Sequence, residues 1–116
     1  MLYGAIEAGG TKFVCAVADE KLNIIDKIKI DTLDPEYTMS EVKKFFKKYD
    51  IVSLGIGTFG PVDINQNSKT YGTIQNSPKQ EWRNFNIIKS IKEEIDIPIR
   101  IDTDVNAAAL GEQKMG

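Results

Sequence analysis

The 116-residue sequence contains no histidine and a single cysteine, Cys15. These shortages exclude from this chain an internal disulfide, a zinc site built from histidine and cysteine, and a nucleophile activated by histidine. The sequence also lacks an apolar run of about 18 residues, which a membrane-spanning helix would need. Any chemistry that this chain carries must therefore use carboxylates, lysines, hydroxyls and backbone amides.

The sequence also lacks a strong excess of charge of either sign. Fifteen basic and seventeen acidic residues give a formal net charge of −2 at pH 7, so neither a nucleic-acid nor a membrane partner is expected. The N-terminus enters a strand pattern at once, without the basic segment and long apolar core of a signal peptide. With one cysteine and a length that suits one domain, the chain is expected to be cytoplasmic and to fold around a single core.

Hydrophobic periodicity predicts an α/β fold in the order βββαβαβα. The predicted strands are Leu2–Ala8, Thr11–Ala18, Ile24–Ile30, 51–57 and Ile99–Asp102, and the predicted helices are Tyr37–Tyr49, a helix capped by Asn84 or a neighbour, and Thr103 to the C-terminus. Three strands that can form a meander, followed by two crossovers from helix to strand, predict a mixed sheet with helices on its faces.

Residues 55–60 read Gly-Ile-Gly-Thr-Phe-Gly, which matches the glycine pattern of a dinucleotide-binding turn. That turn requires a helix directly after its third glycine, whereas the residues from Pro61 onward are rich in turn formers and have no helical period. We therefore do not interpret this motif as a dinucleotide-binding site, and the role of its glycines is left open at this point. The polar segment that follows is long for a connector, which favours a binding loop or a small hairpin.

A second glycine-rich stretch, Gly9-Gly10, separates the first two predicted strands and is followed by Thr11 and Lys12. Residues without a Cβ let backbone amides approach a ligand closely. A hydroxyl and a lysine charge beside them suit phosphate oxygens. The spacing does not match a Walker A loop, and a plain hairpin turn with a solvated lysine is the alternative interpretation.

Polar residues also collect where the last predicted strand meets the last predicted helix, in the run Asp102-Thr103-Asp104-Val105-Asn106. Ligands of open α/β sheets bind at the carboxyl ends of the strands. Asp104 falls in the first helical turn, where the positive end of the helix dipole favours a carboxylate. Capping of the helix by Asp102 or Thr103 is the alternative explanation of the pattern.

Three of these stretches, with one further loop, resemble the ROK family of sugar kinases. The motifs are Glu7-Ala-Gly-Gly-Thr-Lys12, Gly57-Thr-Phe-Gly-Pro-Val-Asp63, Tyr71-Gly-Thr-Ile-Gln-Asn-Ser-Pro-Lys79 followed by Trp82-Arg83, and Thr103-Asp-Val-Asn-Ala-Ala-Ala-Leu-Gly-Glu112. Within that family the chain resembles the bacterial fructokinases. The resemblance covers essentially the whole chain. It implies that residues 1–116 are a single domain, the N-terminal ribonuclease-H-like, actin-type ATPase lobe of a two-lobe enzyme.

For this chain, the resemblance implies ATP-dependent phosphorylation of a hexose, with ATP and Mg²⁺ as cofactors and fructose as the favoured sugar. The ATP phosphates and the metal are assigned to Gly9, Gly10, Thr11 and Lys12. Glu7 stands where most of the family carries aspartate, and an indirect contact to Mg²⁺ is implied for it. A zinc site is expected only in the C-terminal lobe, which this chain does not contain.

The sugar, by the same resemblance, is assigned to a set of loop residues: Gly60, Pro61, Asn76, Thr103 and Asp104. Asp104 matches the catalytic base, which would take the proton of the attacking sugar hydroxyl. Thr103 replaces the asparagine that usually precedes this aspartate. Gly60 and Pro61 match the loop beneath the sugar, which gives the glycines of residues 55–60 a role that needs no dinucleotide.

Other functions stay open for the same fold. One is a sugar-responsive repressor lobe of this family, although such a protein would place a helix-turn-helix before Leu2. Another is a module that binds sugar or assembles without catalysis. The chain alone is expected to be inactive, because the second lobe supplies the adenosine site. An apolar patch around Ala108, Leu110 and Met115 predicts a homo-oligomer.

Overall fold

A five-stranded sheet organises the chain in the computed structural model, which describes residues 1–58, 67, 69, 71–74 and 80–102. The strands are β1 (Leu2–Ala8), β2 (Lys12–Asp19), β3 (Ile24–Asp31), β4 (Ile51–Thr58) and β5 (Ile99–Asp102), and the helices are α1 (Pro35–Lys47), a short 3₁₀ helix (Gln80–Trp82) and α2 (Ile87–Lys92). All five predicted strands are present, with ends that differ by at most one residue. The predicted helix from Thr103 lies outside the described residues.

The strand order across the sheet is β3-β2-β1-β4-β5. β1 pairs antiparallel with β2, which pairs antiparallel with β3, so the first three strands form the predicted meander. β4 runs parallel to β1 and β5 runs parallel to β4. Because parallel strands end at the same edge, the carboxyl ends of β1, β4 and β5 meet there, and this is the edge where open α/β sheets bind ligands.

Helix α1 begins two residues before its predicted start because Asp34 caps it. The Asp34 carboxylate accepts a hydrogen bond of 2.8 Å from the Tyr37 N–H, and Pro35 occupies the first helical position, where its missing N–H costs nothing. The helix buries an amphipathic stripe of Thr38, Met39, Val42, Phe45 and Phe46. It ends at Lys47, two residues before the predicted end, and Tyr49 then donates a hydrogen bond from its hydroxyl to Asp26 of β3.

One face of the sheet carries the main hydrophobic core. The large side chains of Ile6, Phe13 and Ile56 on this face pack with those of α1 and with Ile87 and Ile91 of α2. Residues of a strand alternate between the two faces, and on the opposite face Ala5 and Ala16 form a separate small buried pair. The two helices are thus confined to one face of the sheet in the described part of the chain.

Helix α2 is capped by Asn86, a neighbour of the predicted Asn84. The Asn86 side-chain oxygen accepts a hydrogen bond of 2.9 Å from the Lys89 N–H. Asn84 lies instead in the left-handed region, at φ 64°, which asparagine tolerates better than most residues. Neither helix in the described part of the chain is long and apolar enough to cross a membrane.

Candidate functional site

The Gly9–Lys12 turn joins β1 to β2 at the edge where β1, β4 and β5 end. The Gly9 N–H donates a hydrogen bond of 2.9 Å to the Lys12 carbonyl oxygen and closes the turn. A Cβ added at Gly9 would lie 2.9 Å from that same oxygen, closer than real Cβ atoms approach. Glycine is therefore required at position 9 by a close backbone approach. The predicted Gly-Gly turn between two strands is confirmed.

The turn is also held from outside by Thr32, the residue that follows β3. The Thr32 N–H donates to the Thr11 carbonyl oxygen at 2.9 Å, and the Thr32 hydroxyl donates to the Gly9 carbonyl oxygen at 2.9 Å. Thr32 is buried. Sequence reasoning did not find this residue, because nothing in the pattern of a single threonine after a strand indicates which distant carbonyl it will contact.

Lys12 forms an ion pair with Asp31, which lies opposite it in the register of β2 and β3. Both side chains are about half exposed, at 53% and 59%. Exposed ion pairs contribute about 1 kcal/mol or less, so this contact orients the lysine without preventing it from turning to an anion. Asp31 was also missed from the sequence, since its role depends on the strand register.

Glu7, Gly57 and Asp102 occupy one row across the three parallel strands. Glu7 of β1 is in register with Gly57 of β4, which is in register with Asp102 of β5. Neighbouring strands lie about 4.8 Å apart, so the backbones of the outer two are roughly 10 Å apart. Glu7 is exposed, and Gly57 places no side chain between it and β5. The row brings the first predicted motif next to the strand that leads into Thr103 and Asp104.

Trp82 fastens the end of the long polar segment to this edge of the sheet. Its indole is buried, at 2% exposure, and donates a hydrogen bond of 2.7 Å from Nε1 to the Leu33 carbonyl oxygen. The ring lies against Phe13 and Phe85, with centroid distances of 5.3 and 5.2 Å. Phe13 directly follows Lys12, so the segment that contains the predicted sugar residue Asn76 ends beside the Gly9–Lys12 turn.

Backbone hydrogen bonds join residues 71–74, which precede residues 75–79, to residues 84–87, which follow them. The Ile74 N–H donates to the Phe85 carbonyl oxygen at 2.9 Å. The Ile87 N–H donates to the Gly72 carbonyl oxygen at 3.1 Å. Gly72 has a φ of 84°, in the region that favours glycine. This pairing agrees with the small hairpin that was one of the two predictions for the polar segment.

The structure therefore describes only part of the predicted site. It describes Glu7, Gly9, Gly10, Thr11 and Lys12 and brings them to one edge of the sheet. The predicted sugar residues and base, Gly60, Pro61, Asn76, Thr103 and Asp104, lie outside the described residues. Their roles stay predictions, as do those of the turn residues.

Two further properties limit the chemistry of the described residues. Burial raises the pKa of the Cys15 thiol, on the core face of β2, to about 12, so this cysteine is not a candidate nucleophile. Among the described residues, no group of three or more aspartate, glutamate or cysteine side chains could hold a metal ion without other ligands. The described residues by themselves therefore offer no complete set of metal ligands.

Comparison with known proteins decides the family. The model of the ROK family matches residues 3–116. The chain belongs to the ROK family. This result and the five-stranded mixed sheet confirm the predicted ribonuclease-H-like, actin-type fold.

Fructokinases are among the similar curated proteins. The chain is 54% identical over 112 residues to a fructokinase of Lactococcus lactis subsp. cremoris, covering 97% of this chain and 39% of that protein. It is 50% identical to a fructokinase of Streptococcus mutans, covering 96% of this chain and 39% of that protein. The chain thus spans about two fifths of the length of these relatives.

Among solved structures, a ROK family glucokinase from Streptomyces griseus, in complex with glucose and AMPPNP, superposes on the chain with a TM-score of 0.73 and 26% identity. The match covers 100% of this chain and 37% of that one.

Proposed function

We propose that this chain is the N-terminal lobe of an ATP-dependent hexose kinase whose acceptor sugar is fructose. The observation that carries the proposal is the glycine turn Gly9–Lys12, fixed at the carboxyl edge beside the row of Glu7, Gly57 and Asp102. The higher identity to fructokinases than to the glucokinase structure, 54% against 26%, favours fructose over glucose.

Phosphoryl transfer needs positioning and charge neutralisation more than covalent chemistry. In the proposed arrangement the backbone of Gly9 and Gly10 lies against the ATP phosphates, the Thr11 hydroxyl hydrogen-bonds a phosphate oxygen, and Lys12 exchanges its contact with Asp31 for the phosphate charge. Thr11 and Lys12 are both exposed at the sheet edge, where they can reach a ligand.

The exposed carboxylate of Glu7 suits an oxygen-seeking cation. Mg²⁺ is usually held by one or two carboxylates together with substrate phosphates and water, and not by a cage made of protein alone. This mode agrees with one exposed carboxylate, that of Glu7, beside the turn. When bound, Mg²⁺ supplies charge neutralisation to the phosphates, and Glu7 and Thr11 are the residues proposed to hold it.

Asp104 is proposed as the general base of the reaction. Its carboxylate takes the proton of a sugar hydroxyl while that oxygen bonds to the γ-phosphorus, and the bond from the γ-phosphorus to the bridging oxygen of ADP breaks. Gly60, Pro61, Asn76 and Thr103 are proposed to hold the sugar. Asp104 follows Asp102 by two positions in the sequence, and Asp102 belongs to the row that contains Glu7, which supports a place for Asp104 near the phosphates.

Replacement of Asp104 by asparagine in the full-length protein tests this assignment. Asp104→Asn keeps the shape of the side chain but removes the proton acceptor, so kcat should fall by about 10²- to 10⁴-fold. The KM for sugar should change far less, because the amide still meets a hydroxyl. Near-normal turnover would move the base elsewhere, with Asp102 as the next candidate.

Gly60→Val is the matched control for that experiment. A side chain in the loop beneath the sugar should raise the KM for sugar before it affects proton transfer. The two variants should therefore show opposite patterns in steady-state kinetics. The choice of sugar is tested in the same assay by comparing kcat/KM for fructose, mannose and glucose, and a preference for glucose would overturn the fructose assignment.

Residues 1–116 by themselves should bind Mg·ATP weakly, because the proposed second lobe supplies the adenosine pocket and the other half of the phosphate clamp. Calorimetry that gave a micromolar Kd, or a binding free energy near 8 kcal/mol, would contradict the proposal. The reading frame offers an independent test. An in-frame continuation past Gly116 supports one lobe of a longer kinase, whereas a stop codon there would favour a binding or assembly module.

Self-association is proposed through the apolar residues Ala108, Leu110 and Met115. Exposed apolar patches of this kind tend to drive association, so light scattering of the 116-residue chain should show dimers or larger species. A monomer at high concentration would contradict this part of the proposal and leave the kinase assignment unaffected.

A further inference from the structure

Thr32 bonds to both ends of the Gly9–Lys12 turn, although it lies 23 positions from Gly9 in the sequence. Its hydroxyl donates to the Gly9 carbonyl oxygen and its N–H donates to the Thr11 carbonyl oxygen, each at 2.9 Å. One residue thus fixes two carbonyls of a turn that contains only three residues between strands. The N–H bond continues the pairing of β2 with β3, whereas the hydroxyl bond to Gly9 is additional to that pairing.

The hydroxyl contact has a consequence for the next amide. A peptide unit is planar and trans, so its C=O and N–H point in opposite directions. When Thr32 holds the Gly9 carbonyl, it also sets the direction of the Gly10 N–H, which points away from Thr32. Among the residues that the structure describes, none accepts a hydrogen bond from the Gly10 N–H. The turn therefore presents, at the carboxyl edge of the sheet, an oriented donor that bonds to none of the described residues.

Thr32 is itself held in place by helix α1. The Thr38 hydroxyl is fully buried, donates to the Asp31 carbonyl oxygen at 3.0 Å and accepts from the Leu33 N–H at 2.9 Å. These two hydrogen bonds hold the backbone of the residues directly before and after Thr32. Since α1 packs into the main core, it holds the backbone on both sides of Thr32, and the Thr32 hydroxyl in turn holds the Gly9–Gly10 peptide.

We propose that Thr32 is a positioning residue for phosphate binding: its hydroxyl orients the Gly9–Gly10 peptide so that the Gly10 N–H faces a phosphate oxygen of the nucleotide. This inference rests on the proposed function, in which the Gly9–Lys12 turn receives ATP. It adds a residue that touches neither nucleotide nor sugar and acts through the backbone of the turn.

The test compares Thr32→Val with Thr32→Ser in the full-length protein. Valine keeps the shape of threonine without its hydroxyl, and serine keeps the hydroxyl without the methyl group. A hydrogen bond of ordinary strength corresponds to about a three- to tenfold change in an equilibrium. We expect Thr32→Val to raise the KM for ATP by about that factor with little change in the KM for sugar. Thr32→Ser should stay within about twofold of wild type.

Hydrogen–deuterium exchange of the peptide that contains Gly9 to Lys12 gives a second readout, independent of activity. Exchange should be faster in Thr32→Val than in wild type and near normal in Thr32→Ser. A structural role alone would lower the melting temperature without separating the two KM values. If Thr32→Val does not fold, Thr32→Ala offers the same comparison with a smaller side chain.

Two results would overturn the inference and leave the kinase assignment intact. One is an active Thr32→Val enzyme with an unchanged KM for ATP, and the other is a Thr32→Ser enzyme as impaired as Thr32→Val. A wild-type protein that phosphorylates no sugar would instead overturn the proposed function and the phosphate role of Thr32 with it. The exchange data separate these cases, because they report on the turn whether or not the protein is a kinase.

Discussion

The Gly9–Lys12 turn and the Asp19–Asn23 turn lie at opposite ends of β2 and are supported in opposite ways. The second turn is closed by its own residues: the Asp19 carboxylate accepts hydrogen bonds of 2.9 Å from the N–H groups of Lys21 and Asn23. The first turn depends on Thr32 and Asp31, which lie about twenty positions away. The first turn, besides its own Gly9–Lys12 bond, is thus tied to buried distant residues, while the only distant contact described for the second is an exposed ion pair of Glu20 with the N-terminus.

Because the two turns are supported differently, they should respond differently to substitution. Local hydrogen bonds fix a turn relative to its own two strands and to nothing else. Contacts from Thr32 and from the Phe13 and Trp82 rings fix the first turn relative to α1 and to the end of the polar segment. A substitution that loosens those distant contacts should disturb the first turn, whereas changes in the second turn should stay confined to it.

The largest effect is expected from Trp82→Ala, which removes the ring between Phe13 and Phe85. Replacing a buried aromatic side chain by alanine typically costs about 3–5 kcal/mol of unfolding free energy. Urea denaturation of the chain would measure the loss. Trp82→Phe is the control, since it retains a ring and removes the Nε1 bond to Leu33, and its loss should be smaller. A cost below about 1 kcal/mol for the alanine variant would show that the turn has no need of this distant support.

Gly9→Ala should have the next largest effect. Its Cβ would lie 2.9 Å from the Lys12 carbonyl oxygen, and the backbone would have to move, at a cost typical of overpacking, about 1–3 kcal/mol. The KM for ATP of the full-length protein should rise as well. Lys21→Ala, in the other turn, should change stability by less than about 0.5 kcal/mol. If the two substitutions lowered the unfolding free energy equally in urea denaturation, the proposed difference between the turns would be contradicted.

The local turn should show its own pH dependence through Asp19. Hydrogen bonds from the Asn23 backbone and side chain hold the pKa of Asp19 below its usual range. A carboxyl with a lowered folded-state pKa stabilises the fold above its unfolded-state pKa of about 3.9, and this stabilisation is lost as the pH falls through the lower folded-state value.

Asp19→Ala should therefore be less stable than wild type at neutral pH, and the two should converge in acid. Urea midpoints measured from neutral to acid pH would test this, and parallel pH curves would contradict it. The KM for ATP of the full-length Asp19→Ala protein should stay unchanged, because none of the hydrogen bonds of Asp19 described here reaches the Gly9–Lys12 turn.

The smallest effect is expected from Leu22→Gly. Leu22 has a φ of 67° and is 67% exposed, so it bears the strain of a left-handed conformation, about 1 kcal/mol, without burial in return. Glycine relieves the strain but loses about as much through the entropy of the unfolded chain. The net change in unfolding free energy should lie within about 0.5 kcal/mol in either direction. A loss above 1 kcal/mol would mean that Leu22 makes a stabilising contact.

Within the described residues, the order and type of the elements could be predicted from the sequence. The strands from Leu2, Ile24 and Ile99 begin where the pattern placed them, because alternation of apolar residues is a local property that survives folding. The helix ends were less accurate. Asp34 and Pro35 begin α1 earlier than its apolar stripe alone indicates, and Asn86 took the capping position in place of Asn84.

The features of the candidate site also fall into those that the sequence predicts and those that only the tertiary structure shows. The sequence by itself determined the order of the described elements, the glycine turn between the first two strands and the motifs of the ROK family, because these follow from local periodicity, from the chemistry of single residues and from spacing. Only the tertiary structure decided that Thr32, Asp31 and Trp82 support the turn. Those contacts depend on the register of β3 beside β2 and on the docking of a distant segment, and both are outcomes of packing that no local pattern encodes.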